Sequence, residues 1–224
     1  MASIAVCHLG LRPYRQVFDA MRRYTAARDG EARDDIWLVQ HPPVFTLGQA
    51  GRTEHLIEPG DIPVEQVDRG GQVTYHGPGQ VVAYTLLDLK RQGLNVRDLV
   101  CAIETSIKQV LSTFGIPGES RDKAPGVYVA GAKIASLGLR IRKGCSYHGL
   151  ALNVDLDLEP FSRINPCGYP GLAVTRMVDL LSPDQSWSHD EIEQQLVTRL
   201  ADNLGYDDWY DASAEESAVL READ

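Results

Sequence analysis

Residues 127–155 read VYVAGAKIASLGLRIRKGCSYHGLALNVD, and this stretch decides the fold. Glycines punctuate short apolar runs, the pattern of adjacent antiparallel strands rather than strand–helix–strand units. Leu137, Leu139 and Ile141 alternate with Gly138, Arg140 and Arg142, and Leu150, Leu152 and Val154 alternate with Gly149, Ala151 and Asn153. A period of two gives each strand two unlike faces. The Gly149 face is small enough to floor a narrow channel.

Upstream, Ile4–Cys7 reads as a strand and 14–27 as a helix with Val17, Met21 and Tyr24 on one face. Ile36–Val39 reads as a buried strand that His41-Pro-Pro ends, since two prolines cannot continue an interior ladder. Val81–Leu87 is another strand. Asn95 is placed to cap a helix running to Phe114, with Gly115 as its terminator. Downstream, Ser188 with Glu191 forms a capping-box signature for a helix through about residue 203. With 224 residues, 43% of them apolar, and no repeat or linker, the chain suits one core. The expectation is a single α+β domain over residues 1–206, with a mixed, mainly antiparallel sheet and packed helices, followed by an acidic, loosely ordered tail at 207–224.

The net charge of -9 is unevenly spread. Residues 183–224 hold twelve Asp or Glu against Arg199 and Arg221, so the rest of the chain is near neutral. Between Gly118 and Cys145 the balance reverses: Arg121, Lys123, Lys133, Arg140, Arg142 and Lys143 face only Glu119 and Asp122. Two readings stand on charge alone, a solvated hairpin face and a docking patch for an acidic protein or a phosphate-bearing group. Nucleic acid is not an expected partner, given the short patch and a pI near 5.1. The first ten residues carry no basic leader, and no run is apolar enough to span a bilayer, so a cytoplasmic protein off the membrane is expected. Cys7, Cys101, Cys145 and Cys167 are widely spaced, which suggests neither disulfides nor a zinc site. No metal and no cofactor are expected.

Three stretches carry candidate chemistry. In Arg69-Gly-Gly-Gln-Val-Thr-Tyr-His-Gly-Pro-Gly-Gln80, four glycines flank a strand-like run, so the backbone can approach a ligand closely. The spacing is neither a Walker loop nor GxGxxG. A hairpin with glycine turns reads equally well, with His76 structural. In Gly131-Ala-Lys-Ile-Ala-Ser136, Lys133 has the parity of Leu137, Leu139 and Ile141. A continuous strand would turn its amine toward the buried face or a pocket, and a bulge at Gly131 would cancel this. Lys133 then reads either as a desolvated base or as a lysine snorkelling at a strand end. In Arg163-Ile-Asn-Pro-Cys167-Gly-Tyr-Pro-Gly171, a cysteine sits among turn-formers, reachable and close to backbone donors. Cys101 contrasts with it, lying among Leu99, Val100 and Ile103 where a buried, inert thiol is expected. Cys167 is the candidate reactive thiol.

Taken in this order, these stretches resemble the lipoyl(octanoyl) transferase family, and the resemblance spans about residues 35–180. Arg69–His76 is similar to that family's substrate-binding signature, Gly131–Ser136 to its catalytic-lysine segment, Asn165-Pro-Cys167-Gly to its nucleophile segment, and 41–48 to an early family segment. The resemblance implies the fold of the biotin and lipoate protein ligase catalytic domain. It implies Cys167 as the nucleophile that carries an acyl thioester, and Lys133 as the group that lowers the thiol's pKa or takes its proton. Arg69, Gly70, Gly71, Gln72, Val73, Thr74, Tyr75 and His76, with Ser136, Leu137, Gly138, Gly149, Leu150 and Ala151, would bind substrate. The implied donor is octanoyl-acyl carrier protein. The implied acceptors are lipoyl domains of 2-oxoacid dehydrogenase complexes and the glycine cleavage H protein, and the implied reaction is the first step of endogenous protein lipoylation. A thioester donor is already activated, so no ATP is needed.

Other readings predict different features. An ATP-dependent lipoate or biotin ligase on the same fold would not need Cys167 and would show an adenylate loop with its own lysine, which Gly77-Pro-Gly-Gln80 does not resemble. A non-catalytic scaffold that only delivers lipoyl domains would not need Lys133 and Cys167. A thiol hydrolase would pair the cysteine with a histidine, for which His76 or His148 could serve.

Overall fold

In a computed structural model that describes residues 2–122 and 124–213, residues 126–153 form three consecutive antiparallel strands. In chain order the elements are β1 (Ser3–Leu11), α1 (Tyr14–Ala27), β2 (Asp35–Gln40), β3 (Val44–Leu47), β4 (Val64–Gln66), β5 (Val73–His76), β6 (Gln80–Leu86), α2 (Val96–Thr113), β7 (Glu119–Ser120), β8 (Gly126–Val129), β9 (Ala132–Arg142), β10 (Cys145–Asn153), α3 (His189–Leu204) and β11 (Asp208–Asp211). Eight strands make one sheet in the order β11-β1-β2-β6-β10-β9-β8-β7. The β11–β1 and β1–β2 pairs are parallel, and the rest of that sheet is antiparallel. The fold is a single α+β domain, as expected.

The alternation in β6 sorts its residues between two cores. Val81 and Ala83 face one side, where Leu99, Ile103 and Ile107 of α2 and Leu196 and Leu200 of α3 cover the sheet. Val82 and Tyr84 face the other, where Val17, Phe18 and Met21 of α1 cover it. Each fully buried Leu, Ile or Phe contributes about 1.5–3 kcal/mol of transfer free energy, which is why these stripes set where the helices dock. The Asn95 side chain caps α2 by accepting from the Arg97 and Asp98 N–H groups, and the Asp98 carboxylate accepts from the Asn95 N–H. The α3 box closes only halfway. Ser188 accepts from the Glu191 N–H, but the Glu191 carboxylate accepts from the Gln195 amide four residues on.

Three departures from the sequence pattern matter for the site. No periodicity marks Val44–Leu47 as a strand, because all four residues are buried; it forms by pairing between β4 and β5 in a second, three-stranded sheet. The inner face of this sheet, Phe45, Leu47, Val73 and Tyr75, packs on Leu156, Phe161 and Ile164 and so anchors the chain leading to Cys167. Cys101 is exposed rather than buried, since the stripe through Leu99, Ala102, Ile103 and Ser106 turns residue 101 outward. At the chain's end, Asp208–Asp211 lies alongside β1, and Asp211 meets His8 at 3.0 Å. Lys123 of the basic segment and residues 214–224 of the acidic tail lie outside the described residues. Among the described residues no helix is long and apolar enough to cross a membrane.

Candidate active site

Lys133 reaches the site by a route that its parity does not predict. Val127 pairs with Ala135 and Tyr128 with Lys133, so Ile134 is an extra residue on β9, a bulge. Ile134 and Ala135 both enter the core under α2, and Lys133 is turned onto the face of Ser136 and Gly138, opposite the apolar set Leu137, Leu139 and Ile141. Lys133 therefore points to a pocket because alternation is broken, not because the strand is continuous. It is 4% exposed, and its Nζ donates to the Pro125 carbonyl at 3.0 Å and lies 3.0 Å from Cys167 Sγ. The ladder between Lys133 and 173–175 fixes its backbone, with Lys133 N–H donating to Ala173 O and Thr175 N–H to Lys133 O.

Cys167 occupies a short turn, Pro166–Gly168, with φ 56° and ψ 15°. A left-handed conformation costs a non-glycine residue about 1–2 kcal/mol, and here it is held from both sides. Gly168 N–H donates to Asn165 O, Tyr169 N–H to Pro166 O, and Asn165 N–H to His55 O. The result is a partly exposed thiol aimed at Lys133.

Both residues line a cavity of about 320 Å³. Its floor is the small face of β9 and β10, where Gly138 stands opposite Gly149 and Ser136 opposite Ala151. Its inner wall holds Tyr14, Val82, Tyr84 and His148, and the exposed Tyr169 and Val96 mark its open end. Arg69 crosses above the floor. Its Nη2 donates to Thr46 O and Oγ1 at 2.8 and 2.7 Å, and its Nη1 to Gly70 O at 2.9 Å. Among the described residues no carboxylate pairs with it; burial lowers its pKa from the ordinary arginine value, and its charge is attracted to Cys167. A Cβ on Gly138 would stand 2.7 Å from Arg69 Cδ, so the arginine fits only because residue 138 has no side chain.

The two histidines of the cavity, and His41 behind them, are committed elsewhere. His76 Nδ1 meets Gln80 Oε1 at 2.7 Å, and burial pushes its pKa down to about 3. His148 Nε2 meets Asp68 Oδ1 at 3.0 Å, and its pKa is likewise lowered, chiefly by burial. His41, buried to a pKa of about 4, donates from Nδ1 to Arg12 O and accepts at Nε2 from the Tyr84 hydroxyl, both at 2.8 Å. The partner that Cys167 meets at hydrogen-bond distance is Lys133, not the Cys/His pair that a thiol hydrolase would show.

Of the residues singled out from sequence, Arg69, Gly70, Gly71, Gln72, Val73, Thr74, His76, Lys133, Ser136, Leu137, Gly138, Gly149, Leu150, Ala151 and Cys167 line this one cavity. Tyr75 does not. It points to the opposite face of β5, where its ring packs on Phe45 and Phe161, because neighbours on a strand alternate sides. Sequence reasoning missed Tyr14 and Tyr84 of the inner wall; their signal is a phenol amid an apolar stripe, which needs a buried partner.

Comparison with known proteins gives concordant results. The family model of the lipoyl protein ligase A/B catalytic domain matches residues 13–201. An octanoyltransferase of Alkalilimnicola ehrlichii is 63% identical over 183 residues, covering 82% of this chain and 85% of that one. A crystal structure of lipoate-protein ligase A bound with ATP superposes with a TM-score of 0.77 at 16% identity, covering 99% of this chain and 94% of that one. The biotin protein ligase of Aquifex aeolicus superposes at 0.54 with 14% identity, covering 91% and 70% respectively. The fold is thus that of the lipoate and biotin protein ligase catalytic domains, and the chain belongs to the lipoyl protein ligase A/B catalytic-domain family, on its octanoyltransferase branch.

Proposed function

We propose that this protein moves an octanoyl group from octanoyl-acyl carrier protein to a lysine of a lipoyl-accepting domain, through a thioester on Cys167. The observation that carries the reading is the 3.0 Å approach of Lys133 Nζ to Cys167 Sγ on a cavity that can take a medium-length acyl chain. Sγ attacks the donor's thioester carbon as its proton passes to Lys133. The carrier's carbon–sulfur bond breaks, the carrier thiol leaves with a proton returned by Lys133, and octanoyl remains on Cys167. Exchange of one thioester for another is nearly balanced in free energy.

In the second half-reaction the neutral amine of the acceptor lysine attacks the Cys167 thioester. A carbon–nitrogen bond forms, the sulfur leaves, and Lys133 takes the amine's proton. The amide is far more stable than the thioester, which draws the sequence forward. The cations of Lys133 and Arg69 favour negative charge on the sulfur and on the tetrahedral oxygen, with N–H groups of the glycine-rich loop as further donors. The acyl tail lies over Ser136, Gly138, Gly149 and Ala151, against Tyr14 and Tyr84. The acceptors would be lipoyl domains of 2-oxoacid dehydrogenase complexes and the glycine cleavage H protein, met in the cytoplasm by a single catalytic domain that does not end at residue 206 but takes in Asp208–Asp211 as a strand of its main sheet.

The test is the intact mass of the protein after brief incubation with octanoyl-acyl carrier protein without ATP. The expected result is a hydroxylamine-labile octanoyl adduct on the wild type, none on Cys167→Ser, and slowed formation on Lys133→Ala. Absence of an adduct, with modification of a lipoyl domain by free octanoate and ATP instead, would establish the ligase reading.

A further inference from the structure

One peptide unit, joining Pro125 to Gly126, is hydrogen-bonded at both ends. Its carbonyl accepts from Lys133 Nζ at 3.0 Å, and its N–H donates to Glu104 Oε1 at 2.9 Å. Glu104 comes from α2, where it is half-buried between Ile103 and Thr105. Among the described residues no cation forms an ion pair with this carboxylate, so its bond to the Gly126 N–H is not a by-product of a surface salt bridge. The peptide is also shaped for the purpose. Gly126 has φ 136°, and a Cβ there would stand 2.5 Å from Lys133 Cε and 2.6 Å from Ala135 O. Only glycine lets the lysine stem lie across it.

We propose that Glu104 is a positioning residue for the transfer reaction, acting on Lys133 through the Pro125–Gly126 peptide. A carboxylate accepting from an N–H makes a stronger bond than a neutral acceptor, and bonds in a chain polarise one another. The Glu104 charge pulls on the N–H end of the unit and leaves its carbonyl oxygen more negative. That oxygen then holds Nζ more firmly at 3.0 Å from Sγ and favours the ammonium–thiolate pair over amine and thiol. Other groups near the pair include Arg69, whose charge interacts with Cys167, Tyr128, whose ring centre lies 5.3 Å from Nζ, and His55, whose Nε2 lies beside Gly168. This assignment rests on the reading of Lys133 and Cys167 as the reacting pair.

The experiment is the rate of Cys167 alkylation by iodoacetamide at one near-neutral pH, read by peptide mass so that the exposed Cys101 is scored separately. Glu104→Gln keeps an acceptor for the Gly126 N–H and removes the charge. It is expected to slow alkylation of Cys167 roughly 3- to 10-fold, the margin between a charged and a neutral hydrogen bond, and Glu104→Ala to slow it further. In a Lys133→Ala background neither substitution has any further effect, because the influence runs through the lysine. A wild-type rate in Glu104→Gln overturns the assignment, as does an equal slowing by Glu104→Gln with and without Lys133. A wild-type rate in Lys133→Ala alone overturns the reading of the pair and the assignment with it, a result distinct from failure of Glu104 alone.

Discussion

Lys133 and Ser136 lie on the same face of β9 although three positions apart, because Ile134 between them has no partner on β8. Inserting one alanine between Val127 and Tyr128 gives Ile134 a partner on β8, restores strict alternation and turns Lys133 into the core under α2. The expected outcome is loss of Cys167 acylation in the intact-mass assay. Ile134→Val keeps the bulge, costs about 1 kcal/mol by urea unfolding, and acylates within about twofold of wild type.

Gly138→Ala places a methyl group 2.7 Å from Arg69 Cδ, and Arg69 is buried and held by three hydrogen bonds, so it cannot swing away. Overpacking of this kind costs about 1–3 kcal/mol. The expected result is a rise of roughly tenfold or more in KM for the octanoyl donor, with iodoacetamide alkylation of Cys167 close to the wild-type rate. Alkylation stays near wild type because Arg69 remains buried with its charge beside the thiol, and a slowed rate would mean that the arginine has been displaced.

Stability should fall with acidification. Burial holds His41 at about 4 and His76 at about 3, against about 6.5 in an unfolded chain. Between those values the unfolded state binds more protons, so stability is full above about pH 6.5 and is lost as pH falls toward 4. Each histidine contributes a slope of up to about 1.4 kcal/mol per pH unit. Urea midpoints measured from pH 7 to 4.5 should decline steadily, and His41→Gln should flatten that decline by less than half, since His76 and His148, both lowered by burial, still contribute. A flat profile in the wild type would contradict the buried neutral state of both rings.

Arg140 and Arg142 lie on the β9 face that carries Ser136 and Gly138, and among the described residues neither has a carboxylate partner; Arg140 donates to Gln49 at 2.7 Å. Their reversal to Glu should raise KM for the acidic carrier-bound donor about 3- to 10-fold at low salt and leave thiol alkylation unchanged. An unchanged KM at low salt would remove this edge from the docking surface.

Much of the scaffold is written in short-range pattern. The α1 bounds follow from its apolar stripe, those of α2 from Asn95 and Gly115, and the antiparallel run from the alternation in 132–153. The small face of Gly149 and Ala151 also announces a channel floor. Tyr75 sits within the glycine-rich signature but faces away, which a motif read as a block does not register. The exposure of Cys101 follows from helix phase, yet its apolar neighbours in sequence suggest the opposite.

By itself, the sequence determined the three helices, the long strands of the main sheet and the cysteine and lysine that bring chemistry, because capping, alternation and glycine placement act over a few residues; the short strands β3, β4 and β11 form only through their partners. The tertiary structure decided that Lys133 meets Cys167, 34 positions away, and that Glu104 reaches the Gly126 N–H. Those meetings depend on one unpaired residue in the register of β9 and on how the second sheet and α2 pack beside it. A one-residue shift in pairing reverses the face of every side chain beyond it, and no local periodicity records where such a shift occurs.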